Sequence, residues 1–425
     1  MKVMKKAIVF ILLVMPLLVM AQAGDSVGLE WCNRRAIEKY PLSLQRGLFS
    51  TAAADRISNL GVAFLPQLSL NGQATYQSDV TSIPVKLPFI TIPEPDKDQY
   101  KLSLDINQSI YDGGQVKFQK KLEQKDLEYN QKNLDVELYK LKERIGLLYF
   151  GVIQLQMYDK VIRASIEDLT SKLDAIKAGI ANGVQLEMNA DIIEAEILKL
   201  KQQLEESDIQ CKSHLEILAE YLDTTNLDAA RFRIPDAQLP ASVYQNKRFE
   251  NDAFLLQKER LQISQDLSAS RLLPKVSAFG QLGYGRPALN MLKSDFESYY
   301  LFGARLNWSF WNWDLTKREK KILKVQADLV DVQQQTFNLN LKIGQQKQLS
   351  EIKKLEKLLV SDAEIIAKRE RISAVASAQM DNGVLTSSQY VTEKNNELVA
   401  KLNHAIHKIQ FTKAKTDYLI QSGLY

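Results

Sequence analysis

The chain has 425 residues, 45% of them hydrophobic and 25% charged, with 18 glycines, 11 prolines and two cysteines. That composition excludes a disordered or low-complexity protein, and two cysteines are too few for a disulfide framework. The formal charge is +4, of which Lys2, Lys5 and Lys6 supply three, so the chain beyond residue 23 carries 4 − 3 = +1 and gives no electrostatic case for nucleic acid.

In chain order, residues 1–23 place those three lysines before the apolar run Ala7 to Met20 and end in small residues at Ala21 and Ala23. This is the pattern of a secretory signal peptide. A first repeat is expected over 24–222. Its opening helix, Leu29 to Val62, leads into FLPQLSLNGQATYQ, where Leu68, Leu70, Ala74 and Tyr76 alternate with Ser69, Asn71, Gln73 and Thr75. The period of two predicts a strand over 67–78. A second strand, 99–111, alternates Tyr100, Leu102, Leu104, Ile106 and Ile110 with Lys101, Ser103, Asp105, Asn107 and Ser109. A long helical hairpin follows over 114–222. Leu134, Leu138, Leu141, Ile145, Leu148 and Val152 begin a seam that steps by four and three, predicting one helix from Gly114 to Ala178, about 100 Å long. The hairpin reverses at Asn182-Gly183-Val184 and returns through Glu187 to Leu222. The Pro-containing segment 223–247 reads as an irregular mid-height (equatorial) connection.

The same order then recurs over 248–425, with a helix, strands at 275–285 and 299–311, and a long hairpin over 314–421. YKLSLDINQSIYDGG matches YLFGARLNWSFWNWD, and Asn182-Gly183-Val184 matches Asn382-Gly383-Val384, both at an offset of 200. Repetition of spaced landmarks marks an internal duplication. In the second pair of strands, Val276, Ala278, Leu282 and Tyr284 stand opposite Lys275, Ser277 and Gln281; Tyr300, Phe302, Ala304, Leu306, Trp308 and Phe310 stand opposite Arg305, Asn307 and Ser309. Tyr299, Tyr300, Trp308, Phe310, Trp311 and Trp313 cluster as a membrane-interface girdle does.

No run reaches the 18 or so apolar residues of a membrane helix. Strands of about ten residues with one apolar and one polar face suit a bilayer-spanning barrel with a wet interior, lined here by Lys101, Asp105, Asn107, Gln281, Arg305 and Asn307. Four strands cannot close a barrel, and open edges in lipid leave backbone groups unpaired. Three copies give twelve strands, so a homotrimer closed around its own strands in a lipid bilayer is expected. Catalytic chemistry is sparse: there is no phosphate loop and no nucleophile elbow, and His404 and His407 have only His214 for company. Neither an enzyme nor a cofactor or metal is expected, and both histidines read as a solvated face.

The full order carries a resemblance. Signal peptide, helix with AIEKYPLSL, FLP-strand, strand ending in YDGG, coiled coil, glycine tip and DIIEAEILKLKQQL, then a second round, resembles the outer membrane efflux protein family, the TolC-like channels. The resemblance implies a mainly α fold with a transmembrane β-barrel contribution. It implies a trimer with its barrel in the outer membrane of a Gram-negative bacterium and its helices forming a periplasmic tunnel. It further implies a passive exit duct for small molecules or polypeptides in a tripartite efflux pump or type I secretion system, docked to a periplasmic adaptor and an inner-membrane pump. Asn182, Gly183, Val184, Asn382, Gly383 and Val384 would then be the docking tips. Family members often ring the periplasmic entrance with aspartates after the second tip; the matching positions here offer Gln389, Thr392 and Glu393, with Asp191 and Glu194 in the first repeat, so an acidic ring is not carried over. The alternative, a periplasmic coiled-coil adaptor or structural protein, would show one hairpin between β-rich halves rather than two rounds of strand, strand and long helix.

Overall fold

The structure, a computed structural model, describes residues 27–81 and 96–425 except 226, 230, 231 and 243. The signal-peptide reading at 1–23 lies outside the described residues. Eight helices and four strands are described: α1 (Leu29–Lys39), α2 (Gln45–Val62), β1 (Gln67–Tyr76), β2 (Asp98–Tyr111), α3 (Gln115–Tyr139), α4 (Leu141–Ala181), α5 (Glu187–Leu222), α6 (Phe249–Ser270), β3 (Lys275–Arg286), β4 (Glu297–Asn307), α7 (Leu315–Asp381) and α8 (Ser387–Ser422). Among the described residues they divide into two compact units, one of 37–144, 238–354 and 414–425, the other of 27–36, 145–237 and 355–413.

The first unit holds the sheet, an antiparallel run in the order β1-β2-β3-β4. Its register puts Asp105 opposite both Ser69 and Gln281, and Leu104 opposite both Leu70 and Leu282. Ser277 pairs with Arg305, and Leu282 with Tyr300. Because side chains alternate along a strand, these pairings sort the odd-numbered polar positions to one face and the even-numbered apolar positions to the other.

The turn from β2 into α3 explains the YDGG motif. Asp112 accepts backbone N–H bonds from Gly114 (2.8 Å) and Val116 (2.6 Å), capping the helix. Gly113 and Gly114 have φ of 74° and 81°, and a Cβ on Gly113 would lie 2.9 Å from the Ser270 carbonyl. At the same places in the second repeat Trp313 and Asp314 adopt φ of 52° and 60°, so the duplicated turn is kept although its glycines are not.

Three expected elements are corrected. The helix expected from Leu29 to Val62 is interrupted by a 3-10 turn, Pro41–Leu44, because Pro41 forces Tyr40 to extended geometry (φ −63°, ψ 127°). The helix expected from Gly114 to Ala178 is divided at Lys140, whose N–H reaches the Glu137 carbonyl in a tightened turn. No Pro or Gly marks this place. The anchoring beside it is tertiary, since the buried Tyr139 donates its hydroxyl to the Ile420 carbonyl at 2.8 Å. Finally, β4 ends at Asn307 rather than 311, because the chain leaves the sheet toward the left-handed pair Trp313 and Asp314, with Trp308 donating Nε1–H to the Leu272 carbonyl at 3.0 Å.

In the second unit α4, α5, the C-terminal part of α7 and the N-terminal part of α8 share one apolar core. Ile162, Leu169 and Ile176 of α4 pack with Ile193 and Leu200 of α5, Met380 of α7, and Tyr390 and Leu398 of α8. The seam spacing read from the sequence is thus the packing face of the hairpin. Tyr149 is fully buried, with its hydroxyl 2.7 Å from the Val27 carbonyl and 2.8 Å from the Arg233 carbonyl, and burial pushes its pKa up to about 12. Cys32 is buried in α1, and burial pushes its thiol up to about 12, which leaves it inert at neutral pH.

Candidate functional site

Two sets of candidate residues occupy different units. In the helical unit the two tips share one geometry. Gly183 and Gly383 have φ of 74° and 73°, and the N–H of Val184 and Val384 reaches back to the carbonyls of Gly179 (3.0 Å) and Gln379 (2.9 Å). Each long helix therefore ends in a Schellman-type cap that demands glycine. The residue that follows is a valine at 75% and 73% exposure, so both turns present an apolar side chain to solvent.

Beyond the second tip, Thr386 and Gln389 form a capping box. Gln389 N–H donates to Thr386 Oγ1 (3.3 Å), and Gln389 Oε1 accepts from the Thr386 N–H (3.1 Å) and hydroxyl (3.0 Å). Gln389, Thr392 and Glu393 line one groove of about 470 Å³ between α7 and α8, facing Val375 and Gln379. Thr392 donates to the Ser388 carbonyl at 2.9 Å, and Glu393 is 3.2 Å from Arg369. Asp191 and Glu194 lie instead on α5, where Asp191 is exposed and Glu194 is 3.9 Å from Lys177. One chain therefore gathers the three second-repeat candidates and keeps the two first-repeat candidates on a separate helix.

Sequence reasoning missed a part-buried polar seam joining α4, α7 and α8. Lys394 Nζ is 2.8 Å from Asp168 and 3.1 Å from Glu397, which also takes Lys401 at 2.6 Å. Lys172 pairs with Asp381 and lies 3.0 Å from the Ser377 hydroxyl, above the Tyr390 ring. The available signal was the i, i+3 and i, i+4 spacing of Lys394, Glu397 and Lys401. His407, expected on a solvated face, is part-buried with Nδ1 2.7 Å from Asp362, and His404 Nδ1 is 3.9 Å from the same oxygen. Among the described residues no group of three His, Cys, Asp or Glu side chains is arranged to hold a metal.

In the sheet unit, Lys101, Asp105, Asn107, Gln281, Arg305 and Asn307 share the polar face set by the register. Asp105 is pinned by Gln281 (2.6 Å), Asn71 and Ser103 (3.4 Å). Lys101 lies 5.3 Å over the Tyr299 ring and Arg305 5.1 Å over Phe279. Tyr299, expected in the aromatic girdle, is 8% exposed on this polar face, with its ring over Gly283. The opposite face exposes Leu68, Leu70, Leu102, Leu104, Tyr300 and Phe302. No helix among the described residues is long and apolar enough to cross a membrane.

Neither a protein-family model nor a curated protein matches the sequence. Solved structures do match the fold. The outer membrane protein VceC of Vibrio cholerae aligns with a TM-score of 0.66 at 12% identity over 93% of this chain and 97% of that one. The CmeC outer membrane channel of Campylobacter jejuni gives 0.65 at 14% identity over 93% and 85%. The open state of the MtrE outer membrane channel of Neisseria gonorrhoeae gives 0.66 at 13% identity over 93% and 89%. The chain has the TolC-like channel fold: mainly helical, duplicated, with four strands.

Proposed function

We propose that the protein is the outer membrane channel of a tripartite export system in a Gram-negative envelope. In this reading it is a homotrimer, its three sheets closed into a twelve-stranded barrel and its helices lining a periplasmic tunnel. The observation that carries this is the sheet, which has one polar face, one exposed apolar face, and two outer strands, β1 and β4, without a partner strand among the described residues. An open edge is untenable in lipid. In an all-antiparallel four-stranded sheet β1 and β4 run in opposite directions, so β4 of one copy can continue onto β1 of the next without breaking the pattern. A second support is α7, where Ile322, Val325, Leu329, Val332, Leu339 and Ile343 are exposed at heptad spacing, a stripe that a second copy would cover.

In this reading the duct is passive. Its lumen in the membrane is the face bearing Lys101, Asp105, Asn107, Gln281, Arg305 and Asn307. The tips at Asn182 to Val184 and Asn382 to Val384 dock the adaptor through their exposed valines. Asp191, Glu194, Gln389, Thr392 and Glu393 border the periplasmic entrance. The same duct serves a pump exporting small molecules or a type I route for polypeptides. An adaptor has no use for two strand pairs with an exposed apolar face. The test is fractionation followed by planar-bilayer recording. The protein is expected to stay with the outer membrane through carbonate extraction and to give discrete conductance steps. Extraction by carbonate, or a silent bilayer, overturns the reading.

A further inference from the structure

We propose that the first two turns of α3 and α7 form a cationic collar that holds the headgroups of anionic phospholipids, an inference that rests on the channel reading. The two helices follow β2 and β4, and their lysines recur at the repeat offset: Lys117 and Lys317, Lys120 and Lys320, Lys121 and Lys321. Arg318, and Lys324 in the turn that follows, add to the second copy. None of these eight side chains has an ion-pair partner among the described residues, and all but Lys120 and Lys320 are exposed. The acids in the same stretches are already engaged, Glu123 by Arg56 (2.9 Å) and Glu319 by Arg271 (3.1 Å). Neither helix has an acidic residue in its first turn.

This placement is unfavourable within the isolated chain. Asp112 already occupies the first amides of α3, but lysines three and four residues apart are repelled by one another as well as by the positive end of the helix. A repeated arrangement of this kind is stabilised by an anion from outside. Position names the anion. The exposed girdle residues Trp308, Phe310, Trp311 and Trp313 separate β4 from α7, and aromatic rings of this kind sit at the hydrocarbon boundary. The lysines begin within about a turn of that boundary. The headgroup layer is about 5 to 7 Å deep on each side, within reach of a lysine stem that runs along apolar surface to place its ammonium. The collar therefore continues the lipid-facing surface into the headgroup layer, where each basic residue gains electrostatically from anionic lipid.

The chain carries its own probe, since three of its four tryptophans, Trp308, Trp311 and Trp313, lie beside the collar and only Trp31 belongs to the other unit. Purified full-length protein is reconstituted into phosphatidylcholine vesicles containing increasing fractions of brominated phosphatidylglycerol or brominated phosphatidylcholine, and tryptophan quenching gives the relative affinity of the two lipids. Phosphatidylglycerol is expected to be preferred about tenfold at low salt, with the preference fading as salt rises. The variant Lys117→Gln, Lys121→Gln, Lys317→Gln, Lys321→Gln should be quenched equally by both lipids. Lys342→Gln, Lys347→Gln, farther along α7, should keep the preference. Equal quenching of the unaltered protein by both lipids, or an undiminished preference in the collar variant, overturns the inference and leaves the channel intact. Loss of the preference on adding millimolar inorganic phosphate at constant ionic strength overturns it in favour of a soluble anion. Absence of quenching by either brominated lipid overturns the channel reading together with it.

Discussion

Glu397 is 5% exposed and still carries a charge, because lysines reach it from both directions along α8. Burial alone would raise its pKa, but the hydrogen bonds from Lys401 and Ser373, with the charge of Lys394, outweigh it and hold the carboxyl below the ordinary 4.5. A carboxylate lowered in the folded state contributes stability that is complete above the unfolded pKa and is lost as pH falls through the folded value. For Lys394 burial acts in the other direction, downward, and is likewise outweighed, here by the hydrogen bonds to Asp168 and Glu397, so its pKa is raised; its contribution is complete below the ordinary 10.5 and lost as pH rises through the folded value. The network is therefore intact across neutral pH and weakens first on the acid side. Glu397→Gln is expected to cost about 1 to 3 kcal/mol at pH 7, since it leaves buried cations underpaired. The difference in urea midpoint between the two proteins, followed by circular dichroism, should shrink steadily below pH 4.5. A difference that is the same at pH 3.5 and pH 7 contradicts this account. At this scale the sequence was only partly legible. Asn-Gly at the tips announced its left-handed turns, whereas the second partners of Lys394 and Lys401, Asp168 of α4 and Glu370 of α7, lie too far along the chain for local spacing to reveal. Gln389 was legible and passed over: Thr386-Ser-Ser-Gln389 is a capping-box spacing, which gives that glutamine a structural task beside any role at an entrance.

At the scale of elements the strands carried their own pattern, and the register turns it into a measurable difference. Leu104 and Phe302 lie on the apolar face and Asn107 on the polar one. Replacing Leu104 or Phe302 by Arg is expected to cost about 2 to 4 kcal/mol near the bilayer midplane, whereas Asn107→Arg should be mild, as read from folded yield in the outer membrane. Equal damage from all three would reverse the assignment of faces. Alternation failed at the aromatics. Tyr299 and Phe279 count as apolar in any hydropathy reading, yet both lie on the polar face, where their rings cover the bare backbone of Gly283 and Gly303 on the neighbouring strand. A Cβ on Gly283 would come within 2.2 Å of the Tyr299 ring. Gly283→Ala is accordingly expected to expel that ring, while Tyr299→Ala removes the conflict. Thermal unfolding of the two single variants and the double should be non-additive, the double being less destabilised than the sum. Strict additivity would mean that ring and glycine are energetically independent. Helix continuity was the other illegible feature. Pro41 signals its break openly, but the division at Lys140 has no local marker and coincides with a tertiary anchor on Tyr139.

For the whole molecule the decisive quantity is the number of copies, and the sheet limits the answers. Each copy contributes an even number of strands in strict antiparallel order, so any ring of copies joined β4 to β1 keeps every neighbour antiparallel. Two copies make eight strands, a barrel whose interior side chains fill; three make twelve, wide enough to leave a passage between the polar faces of opposed sheets. The polar face itself favours the wider ring. It carries Lys101, Asp105 and Arg305, whose long or charged side chains fold along the wall against Tyr299, Gln281 and Phe279, and an eight-stranded lumen would bury these charges against their own copies. Cysteine cross-linking across the outer strands separates the cases. With Cys32 and Cys211 replaced by Ser, single cysteines at even-numbered positions of β1, such as Leu68 or Leu70, are paired with cysteines at even-numbered positions of β4, such as Tyr300 or Phe302. A series of such pairs samples the register that one chain leaves open. For the pair in register, oxidation of the native protein in membranes is expected to give a ladder ending at three chains. In denaturing gels that end point should be a closed species, because a ring has no free β1 or β4 left to react. A ladder ending at two chains would replace the twelve-stranded barrel with an eight-stranded one. Cross-links that extend without limit would mean that the edges do not close at all.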